Sequence, residues 1–258
     1  MDHRESAPET VVVPVAGVGN VELGPVSTAL PLFLPLKLML QHDLHTSVVN
    51  PVVLSGMGIF RCKTNVCAEA EDKISAIAEQ HPGSRIVLLG HSMGGLVCRD
   101  FLNRNYRPDG PYVGTVTINA PHLGANASRW PGEFTETVRS MNEFALQMPI
   151  PTPPAEGGPQ WSFIGSLRDK TVSADCALPD FPGVSRLLLV GDGQRVPELL
   201  SDIETASVGH WTEGHNNMLL VRPAAQAITR TVGRMMVDAG LRPSPNTHSH
   251  HHTLADIA

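Results

Sequence analysis

Three residue types, set at three separate places in the chain, could together carry nucleophilic catalysis. The first is Ser92, in Gly90-His91-Ser92-Met93-Gly94-Gly95, directly after the apolar run Arg85 to Leu89 and ahead of Leu96 to Asn105, which can continue as a helix. In a strand-to-helix turn of the G-x-S-x-G kind the serine takes a strained backbone conformation that its glycine neighbours make room for. Its hydroxyl then stands at the carboxyl edge of the sheet. The positive end of the following helix favours negative charge developing there, and the backbone N–H after the nucleophile, that of Met93, is one donor for an oxyanion.

A serine hydroxyl is a weak nucleophile and needs a base within hydrogen-bond reach, itself oriented by a third group. Of the twelve histidines, His215 in Glu213-Gly214-His215-Asn216-Asn217 lies just ahead of the last helical segment, Pro223 to Val237. His210, in Gly209-His210-Trp211, shares that loop and is the alternative. The chain order serine, aspartate, histidine favours His215. His91 is expected to point into the fold as packing. Two aspartates follow strand-like runs: Asp169 after Trp161 to Ser166, and Asp192 in Val190-Gly191-Asp192-Gly193. With Asp169 as the acid, Ser185 to Val190 is the last strand before the histidine loop. With Asp192, Ser201 to Val208 must supply that strand and Trp161 to Ile164 joins an insertion.

The elements that would position these residues alternate. Thr10 to Val15 reads as a buried strand feeding a glycine turn, Ser47 to Leu54 as a second apolar run, Ala68 to Gln80 as an amphipathic helix stopped by His81-Pro82-Gly83, and Tyr112 to Ile118 as a further strand. Alternation of strand and helix predicts a mostly parallel sheet covered on both faces. Residues 124–160 break the pattern and read as a lid-like insertion, with Trp130, Phe134, Met141, Phe144, Leu146 and Met148 as its apolar residues.

Gly90 to Gly95, together with Asn119-Ala120-Pro121-His122-Leu123-Gly124, resembles the bacterial lipases and esterases of the α/β-hydrolase fold. Ser166-Leu167-Arg168-Asp169-Lys170-Thr171-Val172 is similar to the Arg-Asp and valine pattern of the glycosylphosphatidylinositol inositol deacylases. The resemblance implies Asp169 as the acid. It also implies a second oxyanion donor after the first central strand. Lipases usually read His-Gly-x-Gly there, whereas this chain reads Ala16-Gly17-Val18-Gly19, which carries the donor over to the Val18 backbone N–H and removes the histidine that braces the loop.

A chain of 258 residues suits one α/β domain, expected over residues 1–245 with 246–258 as a flexible tail. The net charge of -6 carries no basic cluster, which argues against nucleic acid as a partner. Leu30 to Leu40 is too short to span a bilayer and is interrupted by Pro31, Pro35 and Lys37, so no stable membrane insertion is expected and the run is buried or forms part of a binding surface. The polar N-terminus reads as that of a cytoplasmic chain or of one already processed. The four cysteines fit neither a zinc site nor a redox pair, although Cys62 and Cys67 are close enough to bridge. The expected function is therefore cofactor-free and metal-free hydrolysis of a small-molecule or lipid ester. A thioesterase or acyltransferase would use the same residues, and a non-catalytic binding protein on a hydrolase scaffold is the alternative from another class.

Overall fold

A computed structural model of the chain describes residues 9–17, 22–23, 26–54, 63–126, 134–209 and 215–241. Its elements run β1 (Thr10–Val15), β2 (Glu22–Leu23), β3 (Val26–Ser27), α1 (Ala29–Leu44), β4 (Ser47–Val48), α2 (Lys63–Gln80), β5 (Arg85–His91), α3 (Met93–Asn105), β6 (Tyr112–Ile118), α4 (Phe134–Gln147), β7 (Gln160–Ser166), α5 (Ala174–Ala177), β8 (Val184–Gly191), β9 (Glu204–Gly209) and α6 (Arg222–Asp238). Seven strands form one sheet in the order β4-β1-β5-β6-β7-β8-β9, while β2 and β3 pair as a separate hairpin. Every pairing in the large sheet is parallel.

Strands buried on both faces explain the unbroken apolar runs of β1 and β5, because successive side chains enter opposite halves of the core. Val11, Val13 and Val15 pack with residues of α2, α3 and α4. Val12 and Ala16 face the other way, among residues of α1 and α6. The central strands are thereby fixed from both sides. Their carboxyl ends, from which Ser92, Asn119 and Asp169 emerge, become the rigid rim of the sheet.

Several expected elements differ in extent. The run Leu30 to Leu40 lies within α1, whose buried residues Phe33, Leu36, Leu40 and Leu44 recur at helical spacing while Leu34 and Leu38 are exposed, so the run supplies both core and surface. Only two residues of Ser47 to Leu54 form a strand, with an isolated bridge from Val52 to Val15, since Pro51 cannot donate to the ladder. β9 follows β8, so the link drawn above between Asp169 and a sheet ending at Val190 does not hold. The run Ser201 to Val208, expected as a strand only with Asp192 as the acid, overlaps β9, whose alternation of Ala206 and Val208 with polar Thr205 and Ser207 is short and half exposed.

Within the region expected to be lid-like, α4 is a core helix. Val138, Met141, Phe144, Ala145 and Met148 are buried, and Leu146 is exposed. Asn142 clamps the helix to the chain leaving β6, accepting from the Ala125 N–H at 2.7 Å and donating to the Ala125 carbonyl at 3.0 Å. At its far end Arg99 of α3, itself buried, donates from Nη2 to the carbonyls of Met148 at 3.3 Å and Pro149 at 2.7 Å, where a helix leaves carbonyls without internal partners. Residues 127–133 and the side chain of Phe134 lie outside the description. Truncating Phe144 to alanine is expected to lower stability by about 3 kcal/mol through lost burial and the cavity left behind. A shift of the urea midpoint matching less than about 1 kcal/mol would show that α4 is not core.

Candidate active site

Ser92 sits between β5 and α3 with φ 56° and ψ −130°, a left-handed conformation that costs a non-glycine residue about 1–3 kcal/mol and persists only when its surroundings enforce it. They do so by close approach. The Ser92 N–H donates to the Ile118 carbonyl at 2.9 Å, pinning the turn to the neighbouring strand. A Cβ placed on Gly94 would lie 2.3 Å from the Val15 carbonyl oxygen, so only glycine lets the first turn of α3 pass the end of β1. A Cβ on Gly17 would meet the Ser92 Cβ at 2.7 Å and its Oγ at 3.2 Å. Gly17, overlooked in the sequence except as part of the loop, therefore sets the free space beside the hydroxyl. Met93 opens α3, and the first N–H groups of a helix have no internal acceptor. Val18 and His210 lie outside the described residues.

Asp169 and His215 meet. Asp169 Oδ2 lies 2.6 Å from His215 Nδ1, with the aspartate side chain 0% and the histidine side chain 14% exposed. The other carboxylate oxygen accepts the N–H groups of Thr171 at 2.8 Å and Val172 at 3.1 Å. These two bonds give the Arg-Asp-x-x-Val pattern a physical meaning: the aspartate closes its own turn two and three residues on, and so aims its free oxygen. His215 Nε2 is buried and has no hydrogen-bond partner among the described residues. Asp192 is exposed at the end of β8, where its N–H donates to the Gly209 carbonyl at 3.2 Å and ties β8 to β9.

Two further histidines are buried nearby. His91 places Nε2 3.1 Å from the His215 carbonyl oxygen, and burial, with the neighbouring His215 as a smaller cause, pushes its pKa down to about 3. His122 shares a hydrogen bond with Thr117 Oγ1 at 2.9 Å and stacks on Phe163 with ring centroids 3.9 Å apart. Its pKa is held well below the ordinary histidine value by burial and then by the Arg99 charge. Asn119, at φ 47°, is also buried and directs its amide nitrogen to the Met218 sulfur. Neither residue had been given a role from the sequence. A polar residue directly after a strand, inside an otherwise apolar stretch, was the available signal.

Among the described residues Cys67, Cys98 and Cys176 are free thiols, and the bridge considered between Cys62 and Cys67 involves Cys62, which lies outside the described residues. Among the described residues no three His, Cys, Asp or Glu side chains are grouped to hold a metal ion, and no helix is long and apolar enough to cross a membrane.

The two buried histidines set a pH dependence. Both are neutral in the fold and titrate near 6.5 in the unfolded chain, so unfolding takes up protons below that pH and stability falls with acidification. Between pH 7 and pH 5 His91 is expected to remove about 2 kcal/mol, and His122 acts in the same direction. Urea unfolding at the two pH values measures the total, and His122→Leu should reduce it. Equal stability at both pH values would contradict the buried neutral state.

Residues 54–177 match the family described as PGAP1-like alpha/beta domain. A stretch of 99 residues is 30% identical to the GPI inositol-deacylase of Emericella nidulans, covering 36% of this chain and only 8% of that protein. Among solved structures the fold is similar to that of metagenome-derived lipolytic enzymes, with a TM-score of 0.53 and 13% identity over 90% of this chain and 95% of the other. It is also similar to a thioesterase from the prodiginine biosynthetic pathway of Streptomyces coelicolor, with a TM-score of 0.50 and 16% identity over 89% and 91% of the two chains.

Proposed function

We propose that this chain, which has the α/β-hydrolase fold, is a serine hydrolase that cleaves carboxylic esters of lipid-like substrates through an acyl-enzyme on Ser92. The observation that carries the reading is the 2.6 Å contact of a fully buried Asp169 carboxylate with His215 Nδ1, because it leaves Nε2 as the ring atom free to exchange a proton. In the proposed cycle Ser92 Oγ attacks the ester carbonyl carbon as its proton passes to His215 Nε2. The tetrahedral oxyanion is held by the Met93 and Val18 N–H groups. The C–O bond to the alcohol breaks, and the leaving oxygen takes the proton from His215. Water then repeats the sequence on the acyl-enzyme, releasing the acid and restoring Ser92. Asp169 keeps the imidazole in the required tautomer and stabilises the imidazolium. The steps need no cofactor.

Two observations favour esters with apolar acyl groups. Leu123, a few residues beyond β6, and Leu220, a few residues beyond His215, are large apolar side chains exposed close in sequence to the site. The inositol deacylase to which part of this chain is similar is named for removing an acyl group. The thioesterase reading uses the same residues and differs in the leaving atom. Comparing oxygen and sulfur esters of one acyl group separates the two.

A series of p-nitrophenyl esters from acetate to palmitate, with Ser92→Ala as control, tests the proposal: turnover is expected to favour the medium and long chains and to fall at least about 1000-fold in the variant. Turnover that survives in Ser92→Ala would overturn the assignment of the nucleophile. Within the same series Asp169→Asn should lose about three to four orders of magnitude in kcat with KM little changed, whereas Asp192→Asn should stay within about tenfold of the unmodified protein. The reverse ranking would remove Asp169 from the site.

A further inference from the structure

The segment that bears His215 is held by three adjacent strands, each through one residue at its carboxyl end. Asp169, beyond β7, takes the ring at Nδ1. Asn119, beyond β6, directs its amide nitrogen to Met218 in the short helical turn that follows. His91, the last residue of β5, reaches the backbone of His215 itself, with Nε2 3.1 Å from the carbonyl oxygen.

That third contact explains an otherwise costly residue. His91 is 1% exposed, its ring lies 4.9 Å from the His215 ring, and Phe33 of α1 covers it edge-on at 6.4 Å. Its Nδ1 is buried with no hydrogen-bond partner among the described residues. Packing alone would be served by an apolar side chain without the desolvation cost of an imidazole. Because the partner is a carbonyl, Nε2 must carry the hydrogen, which fixes the neutral tautomer, and among the described residues this is the one hydrogen bond of the ring. His91 is also joined by a peptide bond to Ser92. One covalent link and one hydrogen bond thus connect the backbone of the serine to the backbone of the histidine.

We infer that His91 is a positioning residue, whose hydrogen bond to the His215 carbonyl sets the imidazole of His215 in register with Ser92. The inference rests on Ser92 and His215 being the nucleophile and base. The ring works only while neutral, since a cation at this distance would oppose the imidazolium that forms on His215 during attack. His215 and Asp169 are the charged or titratable groups that act on it, and burial outweighs both in keeping it unprotonated.

The test is a matched pair in the full chain. His91→Gln keeps a donor and His91→Met has nearly the same shape without one. His91→Met is expected to lower kcat by about tenfold to 100-fold with KM within threefold, as misplacement of a catalytic group does. His91→Gln should recover to within about threefold of the unmodified protein. The low-field proton on His215 Nδ1, followed by NMR and assigned by its loss in Asp169→Asn, should shift or broaden in His91→Met and return in His91→Gln. Equal kcat in the two variants with an unchanged His215 resonance would overturn the inference. The resonance does not depend on turnover. If no ester were hydrolysed, the proposed function would fail, while the response of His215 to the two variants would still decide the role of His91.

Discussion

The structure depends on how closely the turn at Ser92 approaches the end of β1. The Val15 carbonyl lies where a side chain on residue 94 would have to begin, and the Ser92 side chain lies against residue 17. With glycine at both positions the turn at Ser92 nests against the first central strand, and α3 starts immediately after the serine. Any side chain there would push α3 away from the sheet, relax the strained Ser92 backbone and move the helix N-terminus from the place where charge would develop.

Around that fixed point the chain spends burial on polar groups that an apolar core would not contain. Asp169, His91, Asn119 and His122 are all buried within a few residues of the strand ends. Each costs desolvation, and each has a partner that positions something. Asp169 orders its own turn and the His215 ring, His91 reaches the His215 backbone, Asn119 reaches the following turn, and His122 joins Thr117 of β6 to the Phe163 ring of β7. The two neighbouring histidines stay neutral through burial, which leaves the carboxylate of Asp169 as the charge in direct contact with His215.

Much of this was legible in the sequence where local pattern and fold agree. The apolar runs of β1, β5 and β6 and the turn at Gly90 to Gly95 stand where the residues place them, because strands buried on both faces and a glycine-flanked serine leave strong signals. The choice of Asp169 over Asp192 rested on a short pattern, and its physical basis, two N–H groups returning to one carboxylate oxygen, becomes visible only in three dimensions. β9 gives a weak signal because only Ala206 and Val208 alternate with polar residues along a half-exposed edge strand. The stripe of α4 reads equally as core packing and as a lid, because it says that one face is covered without saying by what. His91 was read as packing because the carbonyl it serves lies more than a hundred residues away.

The proposed chemistry requires Ser92 to be a nucleophile activated by the His215 and Asp169 pair. Covalent labelling of the full chain with a fluorophosphonate, followed by intact mass and peptide mapping, tests this without knowledge of the natural substrate. The account predicts a single adduct on the peptide containing Ser92, absent in Ser92→Ala and formed at least about 100-fold more slowly in Asp169→Asn. No adduct, an adduct on another residue, or an unchanged rate in Asp169→Asn would contradict it.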